Sequence, residues 1–160
     1  MKTIEYRGGL VSFEIPTSWK EAYQPGGGGT FYEDRPDSGT LRLNVISFSS
    51  KEPKTPTEAV ADAFGPDTHE ILSSGFAMRR GMKEGEERST KLHLYRWEVL
   101  FPVTATHARL ACFTYTVLAD QDGTEPVKRE LDMLEGMVRT ARFSTTQGEV
   151  PRTSRWKFWK

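Results

Sequence analysis

The chain has one cysteine, three histidines and no net charge. Cys112 alone cannot close an internal disulfide, which leans toward a reducing compartment. The opening stretch, Met1 to Arg7, holds no apolar run of signal-peptide length. No stretch approaches the ~20 apolar residues that cross a bilayer. The expected location is therefore cytoplasmic, with no integral membrane association. Lys+Arg and Asp+Glu are equal at 22 each. That balance gives no bulk electrostatic pull toward nucleic acid.

Catalytic and metal-binding signatures are equally sparse. His69, His93 and His107 have no partner at helical-turn or strand-alternation spacing, so no metal site is expected. Gly26 to Gly29 suggests a phosphate loop, but Thr30-Phe31 follows where Lys and Ser/Thr would be needed. A hairpin connection is the better reading. Cys112 would need a nearby base to act as a nucleophile. If Phe101 faces His107 across a hairpin, Cys112 faces Arg96 and His93 points to the other side. Cys112 then reads as a small buried hydrophobe. Glu84-Gly85-Glu86-Glu87 lacks the Asp-rich ladder of a calcium loop and reads as a solvated turn. Asp120-Gln121-Asp122-Gly123 reads as turn chemistry. The expectation is a non-enzyme without cofactor or metal.

What is present is the pattern of a folded domain. The 160 residues are 36% hydrophobic and 28% charged, enough for one core. Val11, Phe13 and Ile15 alternate with polar residues as in a strand, and Pro16 ends it. Short and long strands are expected at Thr30–Glu33 and Leu41–Phe48. In the latter, Leu41, Leu43 and Val45 share one face, and Arg42, Asn44, Ile46 and Phe48 the other. Thr57 to Phe64 reads as a helix capped by Thr55 or Thr57 and ended by Gly65-Pro66. Phe76 to Lys83 is a further strand. Thr90–Phe101 and Arg109–Ala119 should form an antiparallel hairpin around a loop at Pro102–Thr106. Both faces of that hairpin are apolar, which places it centrally in its sheet. Val127, Leu131, Leu134, Val138 and Ala141 recur at helical spacing after Pro126, and Phe143 should close the core. The fold class is α+β, a mainly antiparallel sheet flanked by helices.

The motif Phe13-x-Ile15-Pro16-x-x-Trp19, followed by these elements in this order to Arg142-Phe143, resembles the PsbP-like and Mog-like domains. The resemblance spans roughly residues 8 to 143. It implies a sandwich fold and, since related DcrB-like domains include chaperones for secretion effectors, a role in binding proteins. The chain is thus divided into a domain, 1–143, and a tail, 144–160. The expected function is a non-catalytic protein-binding or accessory domain, such as a chaperone or adaptor of a bacterial secretion system. The alternative is a small-molecule or lipid-binding module, with a pocket lined by Tyr95, Trp97, Phe113 and Tyr115.

The tail is compositionally distinct. Arg155, Trp156, Lys157, Phe158 and Trp159 interleave cations with large aromatics, and Glu149 is the one acid in Ser144–Lys160. Exposed apolar surface invites aggregation, so such a cluster should dock on something. Its own domain, a protein partner and peripheral attachment to a membrane surface are equally weighted. As a partner-binding segment, these five residues are the candidate site.

Overall fold

The structure, a computed structural model, describes residues 1–146. The chain opens with β1 (Lys2–Tyr6) and β2 (Val11–Ile15), an antiparallel pair. Seven further strands follow: β3 (Trp19–Gln24), β4 (Gly28–Glu33), β5 (Thr40–Ser49), β6 (Glu70–Ile71), β7 (Ala77–Glu87), β8 (Thr90–Thr104) and β9 (His107–Leu118). They form one antiparallel sheet in the order β3-β4-β5-β9-β8-β7-β6. A short closing strand, β10 (Arg142–Phe143), pairs with β2 and completes a second, three-stranded sheet. The helices are α1 (Pro56–Phe64) and α2 (Glu125–Thr140).

The central β8–β9 hairpin separates two hydrophobic clusters. On one face Trp97, Val99, Phe101, Ala111, Phe113 and Tyr115 pack with Leu41 and Leu43 under the small sheet and α2. Edge-to-face contacts of Phe13 with Phe31 and Phe113 join the two sheets. On the opposite face Phe48, Ala77, Leu100, Ala108 and Leu110 pack against Ala59 and Phe64 of α1. The two-sided apolar pattern of the hairpin thus reflects cover on both faces, as expected of a central pair.

Both helices start where local chemistry favours it. Thr55 caps α1: its hydroxyl accepts from the Glu58 N–H, and the Glu58 carboxylate accepts from the Thr55 N–H, each at 3.2 Å. This reciprocal box satisfies two orphan donors of the first turn. Gly65 ends α1 at φ 58°, a region open to glycine without steric cost. In α2, Val127, Leu134, Met137 and Val138 form the buried stripe, with Leu131 packed beside them.

Several expectations are corrected. Lys2–Tyr6 and Trp19–Gln24 are strands that the sequence reading left out. Neither strand shows a sustained apolar alternation, and in Trp19–Gln24 only Trp19 is buried, so tertiary pairing rather than local propensity holds them. Gly28 and Gly29 lie in β4 rather than in a four-glycine loop. Glu84 to Glu87 is not a turn but the end of β7; the turn is Arg88-Ser89, with φ 49° and 67°. β8 runs on to Thr104 through an irregularity at Pro102, so the loop shrinks to Ala105-Thr106. The hairpin register is two residues from the expected one: Phe101 faces Arg109, and Cys112 faces Glu98 rather than Arg96. An even shift preserves which side chains share a face, so the facial assignments stand.

Candidate functional site

The face of the large sheet that α2 covers carries a polar seam between β8, β9 and α2. Each donor comes from the sheet and each acceptor from α2 or the turn before it. Tyr115 donates its hydroxyl to Glu130, and the Trp97 indole N–H donates to Glu135. Tyr95 donates its hydroxyl to the Asp122 carboxylate at 2.6 Å, and His93 Nδ1 meets the same oxygen at 2.6 Å. Charges then tie the seam to the periphery. Arg35 bonds Glu130 at 2.9 Å and Glu33 at 2.6 Å. Arg80 and Arg139 bond Glu135 at 2.5 and 2.9 Å, and Arg139 reaches Glu70 at 2.7 Å.

The seam perturbs its own titrations. Burial, then the bond to Asp122, pushes the Tyr95 hydroxyl up to about 12. Burial and the Glu130 carboxylate raise Tyr115 in the same direction. Burial acts to raise Asp122, but the bonds from Tyr95, His93 and the Gly123 N–H together hold it below the ordinary carboxylate value. Carboxylates of α2 and of the turn before it, held by donors on the sheet, fix α2 against it.

Along the Tyr95–Trp97–Glu135 part of the seam, α2 and the β7–β8 pair leave a groove of about 420 Å³. Arg80, Met82, Tyr95, Trp97, Leu131 and Asp132 line it. Met82, 51% exposed, stands on the rim of the groove. The groove lies beside a free strand edge. β6 pairs only with Ala77 and Met78, and among the described residues no strand pairs with the outer side of β7 beyond Met78. Unpaired backbone groups at such an edge form a template for another extended segment.

The residues anticipated from sequence fall differently. Tyr95 and Trp97 line the groove, but Phe113 and Tyr115 are fully buried in the core. The aromatic pocket for a lipid or small molecule is therefore not formed by those four. Cys112 is half-buried beside Glu98, which the Arg79 guanidinium grips at 3.0 and 3.1 Å and Arg96 at 2.9 Å. Burial, with the Glu98 charge adding, pushes the Cys112 thiol up to about 12, so it is no thiolate at neutral pH. His69 meets the Asp67 carbonyl, and His107 meets Thr104 and Thr106. Among the described residues no group of three or more His, Cys, Asp or Glu is arranged to hold a metal. The glycine hairpin is gripped by Tyr6, the last residue of β1, and Arg7 just beyond it, both donating to the Gly27 carbonyl, at 3.1 and 3.2 Å. Arg155, Trp156, Lys157, Phe158 and Trp159 lie outside the described residues.

Glu130, Glu135 and Met82 were not singled out from sequence as site residues, and Asp122 was read only as part of a turn. Glu130 and Glu135 flank an apolar helical stripe, where a solvated carboxylate looks the same until its partner strand is known.

No family model matches the sequence, and no curated protein matches it by sequence. Solved structures do match. A protein of Bacteroides thetaiotaomicron VPI-5482 superposes with a TM-score of 0.61 at 17% identity, over 92% of this chain and 50% of that one. This chain thus spans half the length of that neighbour. LpqN of Mycobacterium tuberculosis, involved in cell envelope biogenesis, gives 0.59 at 11% identity, over 82% and 81%. The Saccharomyces cerevisiae Ran-binding protein Mog1p gives 0.53 at 10% identity, over 88% and 94%. The fold is the Mog-like, PsbP-like sandwich. Identities this low establish the Mog-like architecture and nothing finer.

Proposed function

We propose that this chain is a non-catalytic protein-binding accessory domain that receives an extended segment of its partner along β7 and in the groove beside it. The observation that carries this reading is the coincidence of a free strand edge with an open groove rimmed by Met82. Strand addition supplies affinity through backbone bonds, and an adjacent groove supplies side-chain selectivity. Methionine adapts to varied apolar partners because its chain is unbranched and polarizable. The exposed charges of Lys83, Glu84 and Glu86 guard the edge against indiscriminate pairing. Mog1p, a Ran-binding protein of the same fold, supports a protein partner in general. A chaperone or adaptor that holds a client segment is the concrete form of this proposal.

A photo-crosslinking residue placed at Met82 tests it, with Tyr23 on the opposite edge strand as control. The expected result is a discrete crosslinked partner from Met82 alone, with binding weakened roughly tenfold or more by Met82→Glu. No position-specific crosslink at Met82, or turnover of a substrate by the purified chain, overturns the reading.

A further inference from the structure

α1 covers only one end of the sheet face on which it packs. Its Ala59 and Phe64 close over Phe48, Ala77, Leu100, Ala108 and Leu110. Farther along the same face, Thr30, Arg42, Thr114 and Arg96 stand side by side in one row across β4, β5, β9 and β8. Tyr32, Thr40, Thr116 and Leu94 form the next row. Leu94, with Leu92 and Leu118 beyond it, is half-buried and belongs to neither hydrophobic cluster.

This part of the face is basic. Lys20, Arg42 and Lys83 are exposed on it, and none of them has an ion pair or hydrogen bond among the described residues. Arg96, also exposed, bonds Glu98 through Nε at 2.9 Å. The carboxylates on this face of the strands are Glu98, buried and held by Arg79 as well as Arg96, and Glu87, in the last pair of β7.

A cradle at the β3–β4 hairpin gives the face one defined subsite. It encloses about 620 Å³, and Arg42, Asn44, Gln24 and Thr30 line it with the glycines of the turn. No carboxylate lines it. The Thr30 hydroxyl accepts from Gln24 Nε2 at 3.0 Å and keeps its own proton to donate. Glycine at position 28 holds the cradle open, because a Cβ there would stand 3.0 Å from the side-chain oxygens of both Gln24 and Asn44. Guanidinium, hydroxyl and amide donors without a negative neighbour suit a carboxylate.

Charge selects the partner. A basic face on a chain of zero net charge is complementary to an acidic surface. The chain's own end is basic in composition and supplies no such counter-charge. A nucleic-acid strand needs exposed rings on which to stack, and this face offers only Tyr32, half-buried. Its half-buried leucines suit the apolar side chains of a peptide.

We propose that the part of the large sheet left open by α1 docks an acidic segment of a protein partner, with one carboxylate of that segment seated in the Arg42 cradle. Lys20, Arg96 and Lys83 then draw the rest of the segment across the strands. The face lies on the other side of the sheet from the Met82 groove, so either reading can fail without the other.

Titration of the isotope-labelled full chain with oligo-glutamate, followed by nuclear magnetic resonance, tests this. The amide signals of Thr30, Arg42, Thr114 and Lys83 should move, and those of β1 and α2 should stay in place. Arg42→Glu should weaken binding roughly tenfold with an unchanged circular dichroism spectrum, and added salt should weaken it for the parent chain. Met82→Glu should leave it unchanged. An absence of shifts, or shifts centred elsewhere, overturns the proposal. So does an equal loss with Arg129→Glu on α2, which reduces the effect to net charge. Tighter binding of oligo-thymidylate or of phosphatidylglycerol vesicles than of oligo-glutamate also overturns it, and assigns the face to nucleic acid or to a membrane surface.

Discussion

Trp19 shows how one residue joins the two sheets. It opens β3 directly after the turn set by Pro16, with its N–H bonded to the Pro16 carbonyl at 3.0 Å. Its ring is 4% exposed, and its carbonyl accepts from Lys2 Nζ at 2.7 Å. Trp19→Ala should destabilise by about 3–5 kcal/mol, the range for emptying a large core site; chemical denaturation measures it. Asp122 has the opposite character, a charge held by donors. Its carboxyl is depressed in the folded state, so its contribution is complete above the unfolded value of 3.8 and is lost as pH falls through the lower folded value. Asp122→Ala should cost about 2 kcal/mol at neutral pH, the scale of hydrogen bonds to a charged group. The gap between variant and parent should narrow below pH 4, and unfolding curves at pH 7 and pH 3 check the sign. Trp19 was legible in the sequence because a strand, a proline and a tryptophan sit close together. Asp122 was legible as a turn residue only, because its two side-chain partners lie 27 and 29 positions away.

At the scale of elements, the β7–β8 turn carries a local cost. Arg88 and Ser89 both adopt positive φ, the mirror-image geometry that matches the twist of paired strands. Residues with a Cβ occupy that region at a cost of roughly 1–2 kcal/mol each. Arg88→Asn with Ser89→Gly should therefore raise stability by about 1 kcal/mol, read as a shift in the denaturation midpoint. The same feature explains why the turn was misplaced by a few residues. Gly85 and its acidic neighbours look like a turn, whereas Arg-Ser does not, and the choice was made by the register of β7 on β8. α2 behaves otherwise. Its stripe and its Pro126 start are written in the sequence, and the helix lies where that pattern puts it. Leu134 is fully buried at the centre of the stripe. Leu134→Ala should cost about 2–5 kcal/mol, and the loss should appear as faster hydrogen exchange across β8 and β9 as well as α2.

At the scale of the molecule, the three-stranded sheet closes the chain on itself, since β2 receives β1 from the N-terminus and β10 from the end of the described chain. Both sheets and α2 share one continuous core, so they should unfold together. Far-ultraviolet circular dichroism and hydrogen exchange of the β1 amides should report one midpoint, and an earlier opening of β1 would show a separable unit. The sequence by itself determined the α+β class, the central hairpin, both helices and the faces of β5, β8 and β9. Those features follow from periodicity, capping and turn residues within a few positions, and such signals are local. The edge strands β1 and β3, the hairpin register, the carboxylate seam and the free edge of β7 were decided only by tertiary structure. Each depends on which distant backbone lies alongside, and a strand's neighbour is set by the lowest total free energy of the packed sheet rather than by any short stretch of the chain.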